Sequence, residues 1–267
     1  MKQLGSALII SLLLVSSSSS QWQPDVRLTN DPAYSYTAYT NAWCIAASGN
    51  VVHVVWQDDR DTNFTGEIYY KHSTDGGVSW GADTQLTNNP SSSQSPSVSV
   101  SGQVVHVVWN DTRHGNWTIY YKRSTDGGVS WGTDTRLTIN PAHSNNPSVT
   151  VSASVVHAVW HDRRDVNYQI YYKLSTDGGS SWGADTRLSS GRGDSRFPSV
   201  SVSGSVVHVV WFDIRDGNPE IYYKRSADGG GSWGTDTRLT NNAAVSQFPS
   251  VSVSGQVVHV VWSDDRN

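Results

Sequence analysis

The apolar hexad VVHVVW begins at Val51 and returns at Val104, Val155 (as VVHAVW), Val206 and Val257, at spacings of 53, 51, 51 and 51 residues. A period of this length containing several short apolar segments is the mark of a repeat architecture, in which each unit buries its faces against the next. The hexad is apolar on both faces, as in a strand sandwiched between neighbouring sheets. Before it runs an alternation of small polar residues and valine, such as SPSVSVSG (95–102), and a turn at Ser101-Gly102-Gln103 joins the two. After it come a polar loop, a segment such as IYYKRS (119–124), an Asp-Gly-Gly turn and DTRLT (134–138). The unit reads as four antiparallel strands, A to D, with turn signals at each junction. Such units arrayed radially make a β-propeller, so the expected fold class is all-β.

Blades are expected at 43–87, 96–138, 147–188 and 198–240, with a partial blade at 249–267. Asp25-Val26-Arg27-Leu28-Thr29 matches strand D alone. A lone N-terminal D strand at 25–29 is the element that closes a propeller and removes its free edges. Closure on these five units would leave the fifth without strand C. Either the ring has five blades with a defective seam, or it is a six-bladed ring cut short. The second is favoured, because an absent internal strand leaves backbone groups unpaired inside a sheet.

Residues 1–20, MKQLGSALIISLLLVSSSSS, have a positive start at Lys2, a short apolar run from Ala7 to Val15 and a serine-rich end. These are the parts of a secretory signal peptide, with cleavage expected near Ser18 to Gln21 and an uncleaved anchor as the alternative. The run is short for a bilayer span, and no later segment is apolar for long enough to be one. A secreted chain, extracellular or periplasmic, with no membrane span in its mature part is therefore expected.

Twelve Trp and twelve Tyr among abundant Gly, Ser, Thr and Asn agree with strands and turns rather than helices. The net charge of −4 and the lack of any Lys/Arg run longer than two argue against nucleic acid and anionic membranes as partners. A single cysteine, Cys44, excludes an internal disulfide and a multi-Cys zinc site, and reads as a small buried thiol. The strand-B histidines His53, His106, His157, His208 and His259 sit on five different sheets, too dispersed to ligate one metal, and read as hydrogen-bonded strand residues. Asp59, Asp61 and Asn63 alternate like the start of a calcium loop but lack its glycine and terminal glutamate. No metal and no cofactor are expected.

Between strands C and D stand STDGGVSW (73–80 and 124–131), STDGGSSW (175–182) and SADGGGSW (226–233). These resemble the Asp box, Ser-x-Asp-x-Gly-x-Thr-Trp, of the sialidase-type or bacterial neuraminidase repeat β-propellers. The resemblance covers most of residues 43–240 and implies a folding device rather than a catalytic site. On that reading Asp75, Asp126, Asp177 and Asp228 accept backbone N–H groups across the turn, and Gly77, Gly128, Gly179 and Gly230 take its unusual angles. Ser73, Ser124, Ser175 and Ser226 open each box, and Trp80, Trp131, Trp182 and Trp233 pack between sheets. Chain geometry agrees: the A–B and C–D turns share one rim, and the longer, varying B–C and D–A connections share the other. Function in repeat folds gathers where the loops differ.

Each B strand ends in Trp-x-Asp-x-Arg, which places Arg60, Arg113, Arg164 and Arg215 on the variable rim. A ring of guanidinium groups suits an anionic ligand, but every arginine has its own aspartate two residues earlier, which suits a loop-fixing ion pair. In the following loops Phe64, Trp117 and Tyr168 each come directly after an asparagine, Asn63, Asn116 and Asn167. Aromatic faces beside carboxamides suit sugars, the ring stacking on C–H groups and the amide bonding hydroxyls; packing against the next blade is the competing role. Arg192-Gly193-Asp194 resembles an integrin-binding tripeptide, but three residues carry little information.

The resemblance also implies an alternative activity, removal of terminal sialic acid by three arginines, a tyrosine–glutamate nucleophile pair and an aspartate acid/base. Residue by residue it transfers poorly. The Arg-Ile-Pro signature is absent, only Glu67 and Glu220 are available as glutamates, and the blades repeat nearly the same residues. The reading that follows is a secreted, non-catalytic propeller that binds a glycan or an extracellular protein through its variable rim. An exo-α-sialidase, or a fragment of one, and a structural module of a larger surface protein are the alternatives.

Overall fold

The computed structural model describes residues 25–37, 44–60 and 65–266. The expected signal peptide and its cleavage region, Phe64, Asp61 and Asn63 lie outside the described residues. Residues 31–267 and 1–30 form separate compact units. In the smaller unit, residues 25–30 carry no strand, yet Arg27 Nε donates to Thr29 O at 2.6 Å. The same local bond recurs in three blades, for example Arg136 Nε to Thr138 O at 2.7 Å.

The larger unit is a β-propeller of successive antiparallel sheets that do not close on one another. The first sheet holds β1 (Ser35–Tyr36), β2 (Ile45–Ser48), β3 (Val51–Asp58), β4 (Glu67–Ser73) and β5 (Thr84–Gln85). The second holds β6 (Ser93–Ser101), β7 (Val104–Asp111), β8 (Thr118–Ser124) and β9 (Thr135–Arg136), and the third β10 (Ser144–Ser152), β11 (Val155–Asp165), β12 (Asn167–Ser175) and β13 (Thr186–Arg187). The fourth holds β14 (Ser195–Ser203), β15 (Val206–Asp213), β16 (Glu220–Ser226) and β17 (Thr237–Arg238), and the fifth β18 (Ser246–Ser254) and β19 (Val257–Asp264). There are no helices among the described residues, hence none long and apolar enough to cross a membrane.

Strand A of the first blade is split into β1 and β2, both paired with β3. Strand D is shorter than its sequence pattern. Only two residues pair in each copy, because the next ladder position is taken by a side chain: Ile119 N donates to Thr138 Oγ1 at 2.9 Å, and Ile170 N to Ser189 Oγ at 2.9 Å.

The core lies between blades. Val55, Ile68 and Tyr70 of one blade pack with Val98, Val105, Val107 and Trp109 of the next, and equivalent clusters fill the following two interfaces. The A strands line the axis and are cross-linked by serines: Val149 N donates to Ser97 Oγ and Val251 N to Ser199 Oγ, both at 3.2 Å. Cys44 takes the corresponding serine's place in the first blade and is half-buried, its Sγ donating to Pro96 O at 3.4 Å.

Candidate functional site

The two rims differ in what their side chains do. On the Asp-box rim, Ser124 Oγ accepts from Gly128 N at 2.8 Å and donates to Asp126 at 2.7 Å. Asp126 also accepts from Ser130 Oγ and, at 2.9 Å, from Ser130 N, and these bonds, that from the Ser130 hydroxyl foremost, hold its carboxyl down at about 2. The second glycines of the boxes, Gly77, Gly128, Gly179 and Gly230, have φ between 83° and 93°. A methyl group at Gly128 or Gly179 would overlap the hydroxyl of Tyr70 or Tyr121 from the preceding blade. Trp131 stands edge-on to Tyr70 with centroids 4.9 Å apart, and Trp182 and Trp233 meet Tyr121 and Tyr172 at 5.0 Å. Each of those tyrosines bonds the histidine of its own strand B, His106 Nδ1 to Tyr121 Oη at 2.8 Å. Burial holds His53, His106 and His157 at about 4, so they are neutral. Trp131, Trp182 and Trp233 with their tyrosines and histidines serve the joint between blades, and the box serines and aspartates close their own turns. Trp80, in the first blade, donates from Nε1 to Gly77 O of its own turn at 3.1 Å instead of packing between sheets.

On the opposite rim the Trp-x-Asp-x-Arg motif closes on itself. Asp111, fully buried, accepts from Trp109 Nε1 at 3.2 Å and Ser93 Oγ at 3.0 Å, and from Arg113 Nε and Nη2 at 3.0 and 2.6 Å. Arg113 Nη1 reaches Asp134 at 2.7 Å, and the guanidinium lies 4.3 Å over the Tyr120 ring. Arg60, Arg164 and Arg215 repeat the arrangement with Asp58 and Asp83, Asp162 and Asp185, and Asp213 and Asp236. Burial works to lower the arginine pKa values, but the two carboxylates outweigh it and raise them. All four guanidinium groups are thus engaged by two carboxylates within their own blade.

The loop asparagines are engaged too. Asn116 Nδ2 donates to Pro141 O at 2.6 Å and Asn167 Nδ2 to Arg192 O, tying each B–C loop to the adjacent D–A loop. Asp194 accepts from Tyr168 N at 2.9 Å and pairs with Arg196 at 2.5 Å, which pins the Arg-Gly-Asp tripeptide. Tyr168 lies between His161, edge-on at 5.0 Å, and the Arg196 guanidinium 4.2 Å over its ring. Glu220 is buried; burial works to raise its pKa, but bonds from Thr240, Arg238, Asn242 and Asn218 lower it.

Among the described residues of this rim, a cavity of about 350 Å³ lies at the axial mouth. Trp117 is the sequence candidate that lines it; Gln94, Ser95, Asn110, Asn145, Asn146, Phe197 and Phe248 were not foreseen. They come from two positions of the repeat. One is the bulge near the start of strand A, where register slips between Gln94 and Ser97 and at the same place in the next three sheets. The residue before each bulge proline, Ser95, Asn146, Phe197 or Phe248, has a left-handed backbone, with φ of 54°, 52°, 55° and 52°. Bulges re-aim side chains, and a positive φ on a phenylalanine before proline costs of order 1–3 kcal/mol. The other is the x of Trp-x-Asp: Gln57, Asn110, His161 and Phe212. The two sets interlock across blades. Asn146 N donates to Asn110 Oδ1 at 3.4 Å and Phe197 N to His161 Nδ1 at 3.3 Å, while Phe197 meets Phe212 at 5.4 Å and Phe248 at 5.0 Å. The available signal was variation: in units otherwise nearly identical, these two positions change from blade to blade.

The mouth has a carboxamide side from the second and third blades and a phenyl side from the fourth and fifth, and Trp117 of the second blade's B–C loop also lines it. Among the described residues no group of three or more His, Cys, Asp or Glu is placed to hold a metal. The arrangement is suited to binding a compact ligand with an apolar face and hydrogen-bonding edges.

Residues 7–210 match a family model described as BNR repeat-like domain. No curated protein matches the chain. Among solved structures, Trypanosoma rangeli sialidase in complex with 2,3-difluorosialic acid superposes with a TM-score of 0.53 at 17% identity, over 81% of this chain and 41% of its own. The same organism's sialidase with sialic acid gives 0.51 at 13% identity, over 86% and 53%. The NanB sialidase of Streptococcus pneumoniae gives 0.50 at 12% identity, over 70% and 30%. The chain spans about half the length of these sialidases or less, and at such identities the likeness is one of fold.

Proposed function

The chain belongs to the BNR repeat-like domain family, and from that membership we propose that it is a secreted, non-catalytic sialidase-like propeller that binds glycans at the mouth of its variable rim. The observation that carries this reading is the mouth itself, where aromatic rings and carboxamides from four blades converge on one cavity. Rings offer faces for sugar C–H groups and carboxamides both donate to and accept from hydroxyls. Secretion rests on the composition of residues 1–20. Binding is favoured over hydrolysis because the rim arginines are held by aspartates in their own blades and Glu220 is tied inside one. A sialidase mechanism needs such groups turned toward substrate.

The test is a glycan array probed with the purified chain from residue 21 onward, with free sugar release followed on the same spots. Binding without release is the expected result; release would reinstate a hydrolase. Trp117→Ala should weaken binding at least tenfold while the melting temperature moves little, since the indole is only half-buried. Unchanged binding in that variant would place the site elsewhere.

A further inference from the structure

We propose that the sugar entering the mouth is an uncharged pyranose, a neutral hexose or an N-acetylhexosamine, and not a sialic acid. This deepens the glycan-binding reading and rests on it. The cavity lining contains no ionisable side chain. Cations stand on the same rim, but each of the four repeat arginines has its Nη1 and Nη2 donors on two separate carboxylates at 2.6–2.8 Å. Arg196, the remaining cation in the strand-A bulge series, pairs with Asp194 and covers Tyr168. Drawing any of the four repeat arginines to a ligand carboxylate would strand a buried aspartate, Asp58, Asp111, Asp162 or Asp213, and drawing Arg196 away would unpair the half-buried Asp194. A carboxylate placed in the mouth would lose its hydration and gain only neutral amide donors.

A neutral sugar meets no such penalty. Its ring C–H face matches Phe197 and Phe248, and its hydroxyls match Asn145 and Gln94 on the facing side. Asn145 is half-buried and its carboxamide makes no hydrogen bond to the described residues. The cavity volume of about 350 Å³ suits one ring, or a ring with a small substituent, rather than a chain of sugars.

Titration calorimetry on the folded chain with lactose, N,N′-diacetylchitobiose and 3′-sialyllactose, each at low and high salt, tests this. The expected result is that one or both neutral disaccharides bind, indifferent to salt, and that 3′-sialyllactose binds no tighter than lactose. Tighter, salt-sensitive binding of 3′-sialyllactose overturns the proposal while leaving the glycan-binding reading in place. No binding of any of the three by a sample with an intact melting transition removes both. Phe197→Ala should abolish the neutral-sugar signal; because that ring also packs on Phe212, Asn145→Ala is the companion variant, with an expected loss of about tenfold at an unchanged melting temperature. Full affinity in Asn145→Ala overturns the assignment of the carboxamide side.

Discussion

His106 shows how much a single residue of the repeat is asked to do. Its imidazole is buried in a strand whose neighbours are valines, bonded to Tyr121, and kept at about 4 by burial, with a smaller push from Arg123. His53 and His157 share the environment, and His161, at about 3, is more strongly shifted still. The unfolded chain, with histidines near 6.5, takes up these protons first. Stability is therefore complete above pH 6.5 and falls as the pH drops from 6.5 toward 4, by up to about 1.4 kcal/mol per pH unit for each histidine. The Asp-box carboxylates contribute to a later loss, between their ordinary value of 3.8 and about 2. Urea unfolding of the wild type and His106→Gln between pH 7 and 4.5 checks this. The variant should start less stable and show a slope shallower by one proton, and an equal slope would mean that His106 is not held neutral.

At the scale of the element, the Asp-box turn and the opposite mouth are two answers to the same repeat. Gly179 sits at φ 83° with its α-carbon against the Tyr121 hydroxyl of the preceding blade. Gly179→Ala should cost about 2–3 kcal/mol, from the backbone and the overlap together, read as a lower denaturation midpoint with glycan binding per folded molecule unchanged. The strands, the turns and the boxes were legible in the sequence because hydrophobic period and turn chemistry are local. The mouth was not. Asn110, Asn146 and Phe197 lie tens of residues apart and meet only because blades are arrayed around an axis, and the proline that forces the bulge does not announce which way the preceding side chain turns. The rim arginines were legible as a choice between anion site and ion pair. Deciding between them needed Asp83, Asp134, Asp185 and Asp236, which stand directly before strand D of the same blade.

Across the whole molecule, protection should follow position in the array. Strands β7, β11 and β15 have both faces covered, whereas β19 alternates, with Val257 57% and Val261 65% exposed. Hydrogen exchange under native conditions should be slowest in β7, β11 and β15 and fastest in β18 and β19; protection of β19 equal to β11 would show that the fifth sheet is covered in solution. The joints themselves run one way. The tyrosine of each blade receives the glycine turn and tryptophan of the following one, three times over with the same partners. A head-to-tail joint that is the same at every step does not record which unit it belongs to. Duplicating or deleting one whole repeat by unequal recombination would leave every remaining tyrosine–tryptophan joint intact, while the residues at the mouth, which take no part in that joint, diverge in step only with their immediate neighbours. Ring size and ligand preference can therefore evolve as separate characters in a chain built this way.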